Sequence, residues 1–415
     1  MAVRKVKSVK RSDTKENEPL SRRSFLGAAA AATLSVGIAS DREAFAQSAD
    51  RTNGSDAQYP VSDRSTNKSA VSPHITSLIK KKPHFSNDFG TLTHVDAGDL
   101  QILNRLSIRR LVLAQRGVRE PHWHPNAGEL GYCLRGEHLM TIASNDSTRN
   151  SFVISAGEMF FVPSGALHHI ENIGTEEGEF IIGFSHERPE DFGLSGTFGC
   201  FTNAVLGNTL GLPATAFANV KRTSHDTILG GRRNPAVIER QDNETNPYKY
   251  FLEATPPQKV TAVGSAHTAS ARVWPALQNL AMFSVDLTSQ GMREMHWHPE
   301  TAEMGYVASG KGRMTIVSPG GVTDTYKMST GDVYFIPRAY PHHIENLGKD
   351  DLRLLVFFDQ SLPGDIGVKT AISCYSREVL AATFNIDPSE FPEFPLTARD
   401  PLFVPRINPL DPFEE

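Results

Sequence analysis

The chain contains one pattern twice. Residues 119–142 align without gaps to residues 293–316 with 13 of 24 positions identical, and residues 157–174 align to 331–348 with 9 of 18 identical. Both pairs are offset by 174 positions, so the spacing between the two matching runs is the same in each half. A fixed offset of this kind marks a duplicated domain and obliges one architecture to serve both halves. A chain of 415 residues is long enough for two domains of ordinary size. From Phe85 onward the sequence runs in short alternating stretches broken by Gly, Pro and Asn, as in an all-β sandwich or barrel. After each half the spacing turns helical, over 195–219 and 369–389, with interruptions near Pro213 and Pro388. The expected fold is therefore all-β with peripheral helices. Its two domains span 85–221 and 259–391, joined by a linker at 222–258, and a Pro-rich tail (392–415) wraps a neighbour or the other half as irregular chain.

Inside the repeat sits a set of side chains that packing alone does not explain. In a strand, alternate residues share a face, so His122 and His124 point one way and Trp123 the other. Glu129 follows across a short turn, where the next strand brings it back beside the imidazoles. The second matching run adds His168 after a Pro/Gly turn. The other half repeats all four as His296, His298, Glu303 and His342. Three imidazoles and one carboxylate form a shell for a divalent metal of borderline character, manganese, iron or zinc, and here the shell occurs twice. The neighbouring His169 and His343 should face away by alternation. Arg119 and Arg293 stand three residues before the first ligand of each set, where a forked guanidinium can pair with a carboxylate at the metal.

The N-terminus reads as an export segment. Paired Arg22 and Arg23 precede a weakly apolar, Ala-rich stretch and a small-residue cleavage site at Ala44–Ala46, the pattern of a bacterial twin-arginine signal over residues 1–46. The apolar run is too short to span a bilayer. A flexible arm, 47–84, follows and is expected to order against the body. Residues 1–46 hold nine Lys/Arg and five Asp/Glu, so without them the net charge moves from −5 to −9. An acidic protein is a poor binder of nucleic acid or anionic membrane. Three cysteines, Cys133, Cys200 and Cys374, are no disulfide framework and are expected to pack. Exposed barrel edges and the long tail are compatible with a homo-oligomer.

The two matching runs are the two cupin motifs, and the chain resembles a bicupin of the oxalate decarboxylase group over nearly all of residues 85–395. That group carries Arg-Glu-x-His-Trp-His in both halves, as do Arg119–His124 and Arg293–His298, and Asn172 and Asn346 follow the fourth ligand at the family spacing. The resemblance implies two jelly-roll β-barrels, each with Mn(2+), two per chain. It implies that oxalate binds through one carboxylate, with dioxygen as co-catalyst. A lid carboxylic acid then protonates the fragment left by loss of carbon dioxide to give formate. Without that acid the related outcome is oxidation to carbon dioxide and hydrogen peroxide. The family's lid Glu falls at Leu194 in Gly193–Phe198, and the lengthened connection offers Glu187, Glu190 and Asp191 instead. Asp191 recurs as Asp365 and reads as structural, and Glu187 should lie nearer the strand end, so Glu190, whose counterpart is Gly364, is the candidate acid.

The expected protein is thus an exported, periplasmic or extracellular bacterial metalloenzyme acting on a small dicarboxylate. Oxalate oxidase, or another metal-dependent cupin oxygenase or isomerase, is the alternative chemistry. A metal-containing bicupin that binds an organic acid or sugar without turnover is the alternative of another class.

Overall fold

The structure is a computed structural model and describes residues 73–145, 149–234, 246–395, 397 and 399–410. The expected export segment, most of the arm and the middle of the linker lie outside the described residues. Each half is a pair of antiparallel sheets facing each other, as expected for a duplicated jelly roll. In the first half the larger sheet runs, in spatial order, Met159–Val162, Glu129–Arg135, Gly178–Phe184, Ser107–Leu113, Gly90–Val95 and Phe85–Asn87. The smaller sheet runs Phe192–Gly193, Gly117–Trp123, Leu167–Asn172, Glu137–Ala143 and Arg149–Ser155. The second half repeats this plan.

Two short exchanges tie the halves together. Ile75–Ser77, from the arm that precedes the first barrel, pairs with Asp332–Ile336 of the second. Lys249–Tyr250, which precedes the second barrel, pairs with Met159–Val162 of the first. Each barrel therefore completes the other's large sheet. The remaining chain closes each barrel on itself. Leu229–Gly231, within the expected linker, pairs with Gly117–Trp123, and Phe403–Pro405, within the expected tail, pairs with Gly291–Trp297. The tail thus forms a strand on its own half, a correction to the expectation that it runs irregularly over the other half or a neighbour. There burial, and then the hydrogen bond and charge of Asp400, push the Glu294 carboxyl up to about 7 where the tail docks.

Sequence pattern explains which faces are buried. Gly178–Phe184 and Leu352–Phe358 are almost wholly apolar, which suits strands covered on both faces. Their inner faces fill the two barrel cores, around Phe160 and Phe180 in one and around Tyr334 and Phe358 in the other. Their outer faces meet in a third core that draws Tyr132, Phe161 and Ile181 from one half and Met304, Phe335 and Phe357 from the other. Gly183 permits that approach, because a Cβ there would lie 2.5 Å from the Phe357 ring.

The helical stretches are short. Thr202 caps Asn203–Leu210, accepting from the Val205 amide at 3.2 Å, and Gly211 ends it with φ +68°. Ser376 and Asn385 do the same for Arg377–Phe384. No helix among the described residues is long and apolar enough to cross a membrane.

Of the cysteines only Cys133 packs in a core; Cys200 and Cys374 are exposed, which corrects the expectation that all three are buried. Burial pushes the Cys133 thiol up to about 12, so it stays a thiol at pH 8. A thiol-reactive dye at pH 8 should therefore label two equivalents per native chain quickly, and a third only after denaturant is added. Rapid labelling of all three would contradict this packing.

Candidate metal centres

Each ligand set is assembled from both sheets. His122 and His168 face each other across paired strands of the small sheet, His124 follows the end of the His122 strand, and Glu129 opens a strand of the large sheet. His122 and Arg119 are three apart and would face opposite ways in a regular strand. A bulge opposite His168–Ile170 absorbs one residue, so that His122 pairs with His168 while Arg119 pairs with Ile170. The same bulge aligns His296 with His342 and Arg293 with Ile344. This irregularity puts the guanidinium and the ligands on one side.

All eight ligands are buried, and in each set the candidate donor atoms lie within 4.8 Å of one another. His124 Nε2 lies 2.8 Å and His168 Nε2 3.1 Å from one oxygen of Glu129. In the second set His298 Nε2 lies 2.8 Å and His342 Nε2 3.5 Å from Glu303. Every imidazole is oriented from behind by a carbonyl. His122 Nδ1 donates to Glu120 at 2.8 Å, His168 to Ala166 at 2.9 Å and His124 to Glu190 at 2.9 Å. Their counterparts donate to Glu294, Tyr340 and Gly364. With the proton on Nδ1, the Nε2 lone pairs converge on a carboxylate. His124 Nε2 and His342 Nε2 are buried without a hydrogen-bond partner. Three imidazole nitrogens and a carboxylate gathered around one buried point are a donor set for a cation, and the residues present therefore suit a divalent metal at both sites.

The electrostatics agree. Burial, then the Arg119 charge and the other imidazoles, hold His122 well below its ordinary value, so it is neutral. Burial works against ionisation of Glu129, but His168 first and then His124, both directly against its oxygen, outweigh it and hold the carboxyl below the usual range.

The halves differ around this common shell. Tyr334 donates a 2.8 Å hydrogen bond to the second oxygen of Glu303, while the first half has Phe160 at that place. Arg109 points inward beside the first centre, where the second half has Phe283. Sequence reading passed over Arg109. Its signal was a charge at an inward-facing position of Ser107–Leu113, in line with Leu111 and Leu113. The second centre opens on a small cavity of ≈ 50 Å³ lined mainly by Phe283, Val285, Leu354, Phe358 and Phe403.

The expected arginines lie where the motif places them, both buried beside their ligand sets. Each meets an aspartate: Arg119 lies 3.4 Å from Asp191, and Arg293 pairs with Asp365. The carboxylate that reaches the first shell is therefore Asp191, at 2.6 Å from His124 Nδ1, and not Glu190. Glu190 has an exposed side chain; its amide and carbonyl hold the loop to Asn126 and His124. Leu194 begins a helix directly after Phe192–Gly193, a two-residue strand paired with Trp123 and His122. His169 and His343 turn aside toward Glu171 and Glu345, as alternation requires.

Two β-barrels with a His3Glu centre in each define a double-barrelled metal-site protein, and the sequence profile of the cupin family matches residues 76–215 and 252–391. The chain belongs to the cupin family. Among its relatives, oxalate decarboxylase OxdC of Bacillus subtilis (strain 168) is 27% identical over 289 residues, 67% of this chain and 74% of that protein. A probable oxalate decarboxylase of Arthroderma benhamiae is 25% identical over 306 residues, 69% of this chain and 73% of that protein. A germin-like protein of Oryza sativa subsp. japonica is 34% identical over 116 residues, 27% of this chain and 49% of its own length. The solved structure of Bacillus subtilis oxalate decarboxylase at pH 4.6 superposes with a TM-score of 0.72 at 23% identity, covering 81% of this chain and 88% of that one.

The phenol of Tyr334 donates to the ligand carboxylate of the second set, where the first set has Phe160. Tyr334→Phe should weaken the second metal site roughly tenfold, as loss of an outer hydrogen bond to a ligand does, and leave the first unchanged. Chelator competition on protein carrying two equivalents of metal should then resolve one weakened equivalent. Equal weakening of both equivalents would refute the assignment.

Proposed function

We propose that the chain is a manganese-dependent enzyme that decarboxylates oxalate, or a closely related small dicarboxylate, to formate and carbon dioxide. The observation that carries this reading is a buried guanidinium beside each complete His3Glu set, in a chain whose relatives along both halves are named oxalate decarboxylase. A divalent manganese held by His122, His124, Glu129 and His168 would supply Lewis acidity and, with dioxygen as co-catalyst, one-electron chemistry; iron and zinc suit the same donors. Solved structures of the Bacillus subtilis enzyme include one concerned with its Mn(II) centres. Arg119 supplies a positive charge and forked donors in a poorly hydrated place, where they act more strongly than in water. Phe184 packs edge-on against His124 and keeps water from that side of the ligand.

Loss of carbon dioxide breaks the carbon–carbon bond, and the carbon left behind must take a proton to become formate. Leu194 cannot give one, and the Glu190 side chain is exposed. Burial opposes ionisation of Asp191, but Arg109, then His124 and Arg119, hold its carboxyl far below the usual range, so it is a poor donor as placed. This lack of a lid acid is the observation that supports a second reading, oxidation of oxalate to carbon dioxide with release of hydrogen peroxide. The same proposal takes residues 1–46 as a twin-arginine signal on a periplasmic or extracellular bacterial enzyme, supported by Arg22, Arg23 and the Ala-rich stretch that follows. Fractionation of the producing cells decides that part.

Purified Mn-loaded protein given oxalate under air should yield formate in excess of peroxide. Peroxide alone would move the assignment to the oxidase, and no turnover would remove oxalate as the substrate. Glu190→Gln should leave the product ratio unchanged, because Glu190 is exposed and it is the main chain that holds His124. Arg119→Lys keeps the charge and loses the fork, and should raise the activation free energy by roughly 2–3 kcal/mol with metal content unaltered. Unchanged kcat/KM in that variant would reduce Arg119 to a wall residue.

A further inference from the structure

Outside the first ligand shell a cleft of ≈ 250 Å³ is lined by His84, His94, Arg109, Pro189, Asp191 and Ile228, among others. At its inner end a carboxylate is held between two buried guanidinium groups. Arg109 Nη1 donates to both oxygens of Asp191, at 3.2 and 2.9 Å, and Arg119 Nη2 approaches from the other side at 3.4 Å. The Arg109 guanidinium lies over the Phe184 ring, 4.6 Å from its centre, so its position is set by packing as well as by charge. We propose that this two-arginine seat is a small-dianion site of the first centre and that Asp191 is its resting occupant, exchanged for a carboxylate of the incoming dianion. The choice of dianion rests on the oxalate reading above; the exchange itself does not.

Three observations support exchange over a fixed clamp. First, His124 does not depend on Asp191. Its Nδ1 also has the Glu190 carbonyl, and in the second centre the equivalent His298 is held by the Gly364 carbonyl at 2.7 Å. Second, the exchange needs a side-chain rotation only. The backbone on either side of Asp191 is pinned, by Asn126 to Arg188 and Glu190, and by pairing of Phe192–Gly193 with Trp123 and His122. Third, Asp191 stands beside the cleft, with its side chain 29% exposed, so it has space to turn into. The second centre has Asp365 on Arg293 but Phe283 in place of the other arginine, which confines the two-arginine seat to the first half.

The experiment is calorimetric titration of the full-length Mn-loaded protein with sodium oxalate, malonate and sulfate, and with formate and chloride as monoanions. Metal content and thermal midpoint are recorded for every variant. Asp191→Asn removes the resident charge and should bind at least one dianion about tenfold more tightly, the scale of one charge-assisted contact. Arg109→Met should bind the same dianion about tenfold more weakly, and the monoanions should change less than twofold in either. If Asp191→Asn lost the fold or its metal, Asp191 would be a clamp and the exchange would be refuted. Unchanged or weaker dianion binding by folded, metal-replete Asp191→Asn would refute it equally, as would dianion affinity unaffected by Arg109→Met. The pattern with malonate or sulfate, but neither binding nor turnover of oxalate, would uphold the seat and overturn the oxalate reading instead.

Discussion

Six hydrogen bonds from imidazole Nδ1 to backbone carbonyls decide what the rest of the molecule can do. Each places the proton behind the ring and the lone pair in front of it. Four of the carbonyls lie two residues upstream of their own histidine: Glu120, Ala166, Glu294 and Tyr340. Those rings are oriented by their own strands. The other two carbonyls, Glu190 and Gly364, belong to the loop that follows the large sheet. One ligand in each centre is therefore oriented by the segment that also covers the mouth. In the first centre the loop holds His124 through the Glu190 carbonyl, with the Asp191 carboxylate beside it, and wholesale departure of the loop would leave His124 without its anchor. Motion at the mouth is cheapest when it stays in the side chains.

The duplication has kept the shell and altered its surroundings. The first centre faces a polar cleft with Arg109 at its back; the second faces a small apolar cavity with Phe283 there instead. Glu303 accepts from a buried phenol, whereas Glu129 has Phe160 for a neighbour. Such changes act on what can approach a metal and on how its carboxylate ligand is polarised, while leaving the donor set intact. Two centres with identical ligands can therefore differ in ligand preference.

Much of this was legible in the sequence for a physical reason. Ligands repeat because metal geometry tolerates little variation, and strands that alternate or run fully apolar announce which faces are buried. The eight ligands, both motif arginines and the outward turn of His169 and His343 could be read from spacing. The bulge could not, because it shows only as a mismatch between strands and leaves no mark on a single run. It is the bulge that brings Arg119 to the ligand side. Asp191 was misread for a similar reason. Recurrence as Asp365 looked like a turn residue, whereas each aspartate meets the motif arginine of its own half. Neighbours in a loop can differ in what they offer a site: Glu190 gives its main chain and Asp191 its carboxylate.

The strand exchanges explain why the halves, so alike, remain one molecule. Ile75–Ser77 and Lys249–Tyr250 occupy equivalent places in the repeat, and each lies on the other's barrel. Severing the halves would strip an edge strand from both large sheets. It would also uncover the shared core around Phe161, Phe335 and Phe357, an apolar face too large to leave in water without association. Across that face Tyr132 donates to Glu253 at 3.1 Å, and Arg353 of the second barrel pairs with the same carboxylate at 2.5 Å. The second barrel thus supports the first whether or not its own metal takes part in chemistry. A structural duty of this kind maintains the second barrel's large sheet, and with it the strand that opens at Glu303, independently of any selection on the second centre's activity.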